Sequence, residues 1–506
     1  MTESTQPPAQ PEPDVPEQIR IRREKLDKLR ERGVDPYPVG YPRTATIGEL
    51  RAEYGDLPAD VATGQRVGIA GRVVLSRIGG KLCFATLREG EFELQVMLSL
   101  DRLGQESLDD WKGDVDLGDL VGVTGEVITS RRGELSIMVE SWAITAKCLR
   151  PLPDKHKGLT DPESRVRQRY VDLIVNPESR RMLFTRADLV RSLRNSLADR
   201  GYTEVETPML QPIHGGANAR PFETHINAYD MKLYMRIAPE LYLKRLLVGG
   251  VEKVFEINRN FRNEGADSTH SPEFTMLEAY EVYGDYNVMQ TLTREVIQEG
   301  AEAVFGTQVA RRVNAEGEVE EFDISGEWKS VTVNEAISQA LGEEVTADTD
   351  AGALKKLCDA ANIPYAPDWT RGQVLLEMYE HLVEHKTVLP TFYRDFPKEV
   401  SPLTRAHRDD PRLAERWDLV GWGAEMGTGY SELIDPMDQR ARFTEQSLLA
   451  AGGDAEAMRL DEDFLRALEY AMPPAGGIGA GIDRILMALT GKLIRETILF
   501  PFVKPA

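Results

Sequence analysis

Between residues 64 and 152 apolar and polar positions alternate in short runs, at 67–74, 84–87, 94–98, 120–127 and 135–139, separated in places by glycine-bearing turns such as Gly79-Gly80 and Arg132-Gly133. Alternation places successive side chains on opposite faces of a strand, and five such runs predict a small antiparallel barrel of the OB type. The period then changes. After a segment rich in proline, lysine and arginine (153–180, read as a linker), Leu189, Val190, Leu193 and Leu197 recur at helical spacing between about Met182 and Asp199, and Gly201 leads into a strand and Pro208. Apolar strands are predicted at 254–257 and 417–420, with a mostly helical insertion at about 332–389. Asp435-Pro436 reads as a helix start, with an N-cap carboxylate and proline in the first turn, and Gly491 as a helix end. The fold class predicted is α+β: an N-terminal OB-fold barrel (64–152) and a second domain (181–506) with an antiparallel sheet flanked by helices.

With 506 residues, 41% of them hydrophobic and 28% charged, the chain can bury more than one core. Residues 1–17 are rich in proline, glutamine and acid and read as a disordered tail. In the helical, basic segment 18–63, positions 18–32 carry seven basic residues against three acidic ones, although the whole chain has a formal charge of −22. A solvated helix face and a phosphate-facing helix remain equal readings of that run. Cys83, Cys148 and Cys358 are isolated and fit neither a zinc spacing nor a disulfide framework. With no basic-apolar leader and no apolar run long enough to span a bilayer, a cytoplasmic location and no membrane contact are expected.

Chemistry concentrates in two distant stretches: Phe261-Arg262-Asn263-Glu264 with His270-Ser271-Pro272-Glu273-Phe274, and the run Gly477-Ile478-Gly479-Ala480-Gly481-Ile482-Asp483-Arg484. If both arms of the first are extended, Arg262 and Glu264 point one way, and Phe274, Glu278 and Tyr280 share a face of the returning strand. A guanidinium suits a phosphate, a phenyl ring suits an adenine face, and a second arginine beside a glycine-rich turn adds a further phosphate contact.

These stretches resemble motifs 2 and 3 of the class II aminoacyl-tRNA synthetases, and their surroundings resemble the bacterial lysyl-tRNA synthetases over nearly the whole chain. Further matching segments are residues 201–208 (motif 1), 215–222, 236–245 and 429–433. The resemblance implies a lysine-tRNA ligase with ATP, L-lysine and tRNA(Lys) as partners and a homodimer through motif 1. Arg262 would grip the α-phosphate and the amino-acid carboxylate, Glu264 read the adenine edge, Phe274 stack on the ring, His270 lie near the phosphates and Arg484 hold the γ-phosphate, with Gly479 and Gly481 in the ATP site. Asp418 and Glu425 would hold Mg²⁺ between phosphates. Glu240 and Glu432 would take the lysine ε-ammonium, while Gly216, Glu278, Tyr280 and Tyr430 shape the pocket. Arg77, Phe84, Gln95 and Glu134 fall where the family reads the anticodon, although strand alternation alone leaves Phe84 equally suited to the barrel core. Two departures stand out: Thr428, where many members carry Asn in contact with substrate, and Asp418, where Glu is common.

The same residues carry other readings. His381, Glu384 and His385 match an H-x-x-E-H spacing, but no third zinc ligand is apparent. The glycines near Gly477 lack the third glycine and the following strand of a dinucleotide site. A synthetase-like protein that lysylates a protein, an Asp or Asn ligase, and a catalytically silent tRNA-binding protein are the alternatives. A lysyl-phospholipid synthase is set aside for want of a membrane domain.

Overall fold

A computed structural model of the chain describes residues 16–153, 158–314, 316–454 and 456–504. The tail predicted at 1–17 lies outside them except for its last two residues, as does part of the predicted linker. The described residues form two compact units, divided between Arg180 and Arg181.

The first unit is built on a closed barrel of β1 (Ala62–Arg77), β2 (Leu82–Glu89), β3 (Phe92–Ser99), β4 (Leu120–Thr129) and β5 (Leu135–Ala146), in the order β1-β2-β3-β5-β4. Alternation does what the sequence implies: Cys83, Ala85 and Leu87 of β2 and Leu94, Val96 and Leu98 of β3 are buried inside, with Trp111 closing the core. Helix Glu17–Glu31 buries Ile19, Leu26 and Leu29. Its basic residues divide. Arg22 donates to the carbonyls of Cys148 and Leu117, and Lys25 and Arg32 pair with Asp116, Asp110 and Asp114, while Arg20, Arg23, Lys28 and Arg30 are exposed.

The second unit is centred on eight strands: β6 (Thr203–Glu204), β7 (Lys253–Phe261), β8 (Glu273–Val282), β9 (Lys329–Thr332), β10 (Thr391–Pro397), β11 (Leu413–Gly421), β12 (Ala424–Ser431) and β13 (Ala475–Gly481). Their order is β9-β10-β11-β12-β13-β8-β7-β6. The sheet is antiparallel except at its two edges, where β6 pairs β7 and β9 pairs β10 in parallel. Helices Pro177–Asp199, Tyr286–Phe305 and Ile482–Thr490 bury Leu189, Leu193, Val296, Ile485 and Leu486 in one cluster with Phe255, Leu277 and Trp417 of the sheet. Asp435 caps helix Pro436–Ala451 by accepting from the backbone N–H groups of Met437 and Asp438, and Gly491 ends helix Ile482–Thr490 in the left-handed conformation that a side chain would strain (φ 70°). Between β9 and β10, three helices (Val333–Leu341, Ala351–Ala361, Arg371–Leu382) bury Ile337, Leu354, Cys358, Leu375 and Met378 in their own cluster.

Candidate active site

Adjacency of β12, β13 and β8 brings the late glycine run against the early hairpin. Register pairs Glu278 with Gly479 and Tyr280 with Gly477, and Tyr430 of β12 also faces Gly477. Without side chains on β13 the two neighbouring strands expose their own: a Cβ at Gly477 would stand 2.1 Å from Glu432 Oε1 and 2.5 Å from the Tyr280 ring, and one at Gly479 would stand 3.2 Å from the Met276 methyl. Two adjoining cavities open over this surface.

The larger cavity, of about 330 Å³, is lined by Gly216, Glu240, Glu278, Tyr280, Tyr430 and Glu432 among others. The second, of about 250 Å³, is lined by Glu264, His270, Phe274, Gly481 and Arg484. Arg262, Met276, Glu425, Thr428 and Gly479 line both. Every residue singled out in the sequence for ATP or the amino acid therefore borders one cavity or the other.

The strand expected to carry Arg262 and Glu264 ends three residues short of Glu264. β7 stops at Phe261, and Arg262 and Glu264 stand on the connecting loop, where the Arg262 N–H donates to the Pro272 carbonyl (2.9 Å). The Arg262 guanidinium lies 5.0 Å from the Phe274 ring centroid, and its buried Nε has no partner. Burial lowers its pKa, helped by the like charge of Arg484 and opposed by the charges of Glu264, Glu425 and Glu278. Arg484 is anchored differently. Its Nη1 donates to the Glu425 carbonyl (2.7 Å) and its Nη2 lies 3.2 Å from His270 Nε2. The Asp267 carboxylate, 3.0 Å from His270 Nδ1, can only accept, so Nδ1 carries the proton and Nε2 accepts from Arg484. Asp483, in the first turn of helix Ile482–Thr490, accepts from the Thr275 N–H (2.9 Å) and from Arg186, tying that helix to β8 of the hairpin.

At the acidic end, helix Glu240–Val248 places Glu240 and Lys244 one turn apart. The Lys244 ammonium is fully buried, 2.6 Å from Glu240 Oε1 and 2.5 Å from Glu432 Oε2. Burial lowers its pKa, but the charges of Glu240 and Glu432 outweigh this and hold it above the ordinary lysine value. Burial pushes the Glu432 carboxyl up, Lys244 opposes this, and the like charge of Glu240 adds to it. Tyr280 donates to Glu278 (3.1 Å), whose carboxyl is raised well above its usual range by burial and by the charge of Glu240. Arg236, also buried, pairs with Glu256 (2.7 Å) and fixes the start of that helix against β7. Sequence reasoning passed over Lys244, although a Glu and a Lys four apart on a helix is a pairing signal.

Asp418 and Glu425 part company. Asp418 accepts a two-pronged contact from Arg416 (3.0 and 2.8 Å) and a third from the Thr428 hydroxyl (2.7 Å), and it lines neither cavity. Glu425 borders both cavities, and burial together with the charge of Asp418 raises its carboxyl, against Arg484, Arg416 and Arg262. Mg²⁺ prefers one or two carboxylates plus phosphate oxygens, so Glu425 fits such an ion, whereas Asp418 has its oxygens engaged by protein donors. Thr428 turns its hydroxyl to Asp418. No group of three or more His, Cys, Asp or Glu able to hold a metal occurs among the described residues. His381 and His385 do not stand on one helix face, because helix Arg371–Leu382 ends between them.

On the barrel, Phe84 lies on the outer face between buried Cys83 and Ala85, half-exposed, and pairs with Arg77 of β1. Gln95 shares that face on β3 and donates to the Ser136 hydroxyl (2.9 Å), while Glu134 is exposed in the turn before β5.

Residues 161–504 match the family described as tRNA synthetases class II (D, K and N), and residues 67–145 match an OB-fold nucleic acid binding domain. Among curated proteins, the chain is 57% identical over 490 residues to the lysylphosphatidylglycerol biosynthesis bifunctional protein LysX of Gordonia bronchialis, covering 97% of this chain and 42% of that protein. The protein of the same name from Mycobacterium marinum is 55% identical over 495 residues (98% and 44%), and that from Nocardia farcinica 55% identical over 506 residues (99% and 44%). The chain thus spans less than half the length of these relatives. No described helix is long and apolar enough to cross a membrane, but over so partial a span that observation cannot set lipid lysylation aside, contrary to the expectation from sequence.

Proposed function

The chain belongs to the class II (D, K and N) tRNA synthetases, and we propose that it activates L-lysine with ATP and passes the lysyl group to tRNA(Lys). The observation that carries this reading is the place of Arg262, an unpartnered cation at the junction of a cavity ending in carboxylates and a cavity flanked by Phe274, His270 and Arg484. Lysine seated with its ammonium groups toward Glu240, Glu278 and Glu432 presents its carboxylate at that junction. A carboxylate is already ionised at neutral pH and needs no general base. It attacks the α-phosphorus of ATP, pyrophosphate leaves and lysyl-adenylate remains; a terminal tRNA hydroxyl then displaces AMP from the acyl carbon. Arg262 and Arg484 orient the phosphates and meet the charge that develops on them. Mg²⁺, when bound with ATP at Glu425, supplies further screening of phosphate charge.

A second reading is favoured by the relatives' shared name: the lysyl group is destined for lysylphosphatidylglycerol, so that lysine activation serves lipid modification. Pyrophosphate exchange with each standard amino acid tests the first step, with lysine alone expected to support it. Charging of tRNA(Lys) with labelled lysine, followed by addition of phosphatidylglycerol vesicles, separates the destinations. Label that remains on tRNA supports the ligase reading for this chain, and label that reaches lipid supports the second.

A further inference from the structure

Lys244 is absent from the lining of the amino-acid cavity, while both carboxylates that hold it belong to that lining. Its ammonium therefore stands behind Glu240 and Glu432, on the side away from substrate. It donates to Glu240 Oε1 (2.6 Å) and, more distantly, to the Leu403 carbonyl (3.4 Å), and makes an ion-pair contact of 2.5 Å with Glu432 Oε2. Neither oxygen of Glu432 accepts a hydrogen bond, and Oε1 is the one that a Cβ at Gly477 would meet. The ionisable groups facing this trio are Glu278 and Tyr280 from β8 and Tyr430 from β12, none of which brings a second cation.

We infer that Lys244 is a positioning residue of the amino-acid pocket: its ammonium fills the seat between Glu240 and Glu432 and so fixes the depth at which a substrate ammonium stops. The inference rests on the lysine reading above. The space between two buried carboxylates is where an ammonium gains most. Were it vacant, substrate lysine would sink into it and draw its carboxylate back from Arg262. With the seat filled, the guest ammonium meets the outward oxygens instead, and the four-carbon stem spans from there to the junction of the cavities. Lys244 also pulls both carboxyls toward ionisation, against burial.

The test uses Lys244→Ala and Lys244→Met in the full chain, read by lysine-dependent pyrophosphate exchange and lysine calorimetry. Lys244→Ala is expected to bind lysine but lose about 100-fold in kcat, the order of loss that follows a misplacement of about 1 Å. Propylammonium, which fits the vacated seat, should restore exchange in Lys244→Ala, whereas in the parent it should only compete with lysine. Lys244→Met fills the seat without charge and should show the loss without the restoration. A kcat within twofold of the parent, a loss that propylammonium does not lift, or failure of both variants to fold with and without the amine would overturn the inference. A parent that binds lysine but does not exchange would instead sink the ligase reading, and the opposite effects of propylammonium on lysine binding to parent and variant would still decide the role of Lys244.

Discussion

The guanidinium of Arg262 lies 5.0 Å from the ring centroid of Phe274, which makes one surface of a cation and an aromatic face. An adenine stacked on the ring and a phosphate on the guanidinium would thereby be set at a fixed separation. Arg262 Nε has no hydrogen-bond partner, so Arg262→Ala breaks no hydrogen bond at that atom. The variant should fold with an unchanged thermal transition and lose ~100–1000-fold in exchange, as when a charge-stabilising donor is removed. Near-parental exchange in the folded variant would show that Arg262 does not touch the reacting phosphate.

Glu432→Gln removes one of the two carboxylates that Lys244 contacts and one wall of the amino-acid cavity. Loss of a partner from a buried charged group typically costs ~3–5 kcal/mol, so the Michaelis constant for lysine should rise about 100-fold or more. That for ATP should stay within a factor of about two, since Glu432 does not border the other cavity. Equal rises for both substrates would refute the division of labour between the cavities.

Burial raises the Glu432 carboxyl, with Lys244 opposing the shift. Below its raised pKa the group is protonated and offers no charge to an ammonium; above it the group is ionised. Lysine affinity should accordingly increase as pH rises from the ordinary glutamate range through the raised value, with proton release on binding. Calorimetry in buffers of different ionisation enthalpy measures that release, and Glu432→Gln should reduce it. A flat affinity over mildly acidic to mildly alkaline pH would contradict the assignment.

Glu425→Gln should abolish most of the dependence of ATP binding on Mg²⁺, whereas Asp418→Asn should affect it less, because Asp418 is already held by Arg416 and Thr428. Titration of ATP into each variant with and without Mg²⁺ gives the comparison. The reverse ranking would place the ion at Asp418.

Phe84 sits on the outside of the barrel, where an unstacked base can reach it. Stacking on an aromatic ring is worth ~1–3 kcal/mol per base, so Phe84→Ala should slow charging of tRNA(Lys) about tenfold or more and leave exchange unchanged. If neither rate falls, the barrel holds its RNA by other residues.

Much of this architecture was legible because alternation is a local property. The five barrel strands, and the face shared by Phe274, Glu278 and Tyr280, follow from side-chain period alone. What escaped depends on which segments meet. Glu240 and Lys244 read locally as a surface pair on an ordinary helix; only the approach of Glu432, almost two hundred positions away, buries them and changes what the lysine does. Arg416 stands two residues before Asp418 on the same strand, so the contact was geometrically available, but the competition between a guanidinium and a metal ion for one carboxylate is settled by packing. β7 ends at Phe261 because Pro272, opposite Arg262, accepts from its N–H but has no N–H to return, a stop carried by proline rather than by any hydropathy pattern.

Part of the floor of the cavities is bare main chain, since Gly479 borders both and Gly477 the larger; on the opposite face of β12 a Cβ at Gly429 would lie 2.2 Å from the Trp417 ring and one at Gly427 would lie 2.9 Å from the Gly479 carbonyl. Such a floor has few intermediate settings. A wall residue can be lengthened or shortened by a methylene and so graded toward a new guest, but a Cβ at Gly477 collides with the Glu432 carboxylate and the Tyr280 ring, and those at Gly427 and Gly429 with backbone and the Trp417 ring, leaving only Gly479, opposite the Met276 methyl, with any room. Adaptation of this pocket to another amino acid is therefore confined to its rim and to Gly479, and the rest of the strands beneath it is open to loss but closed to refinement.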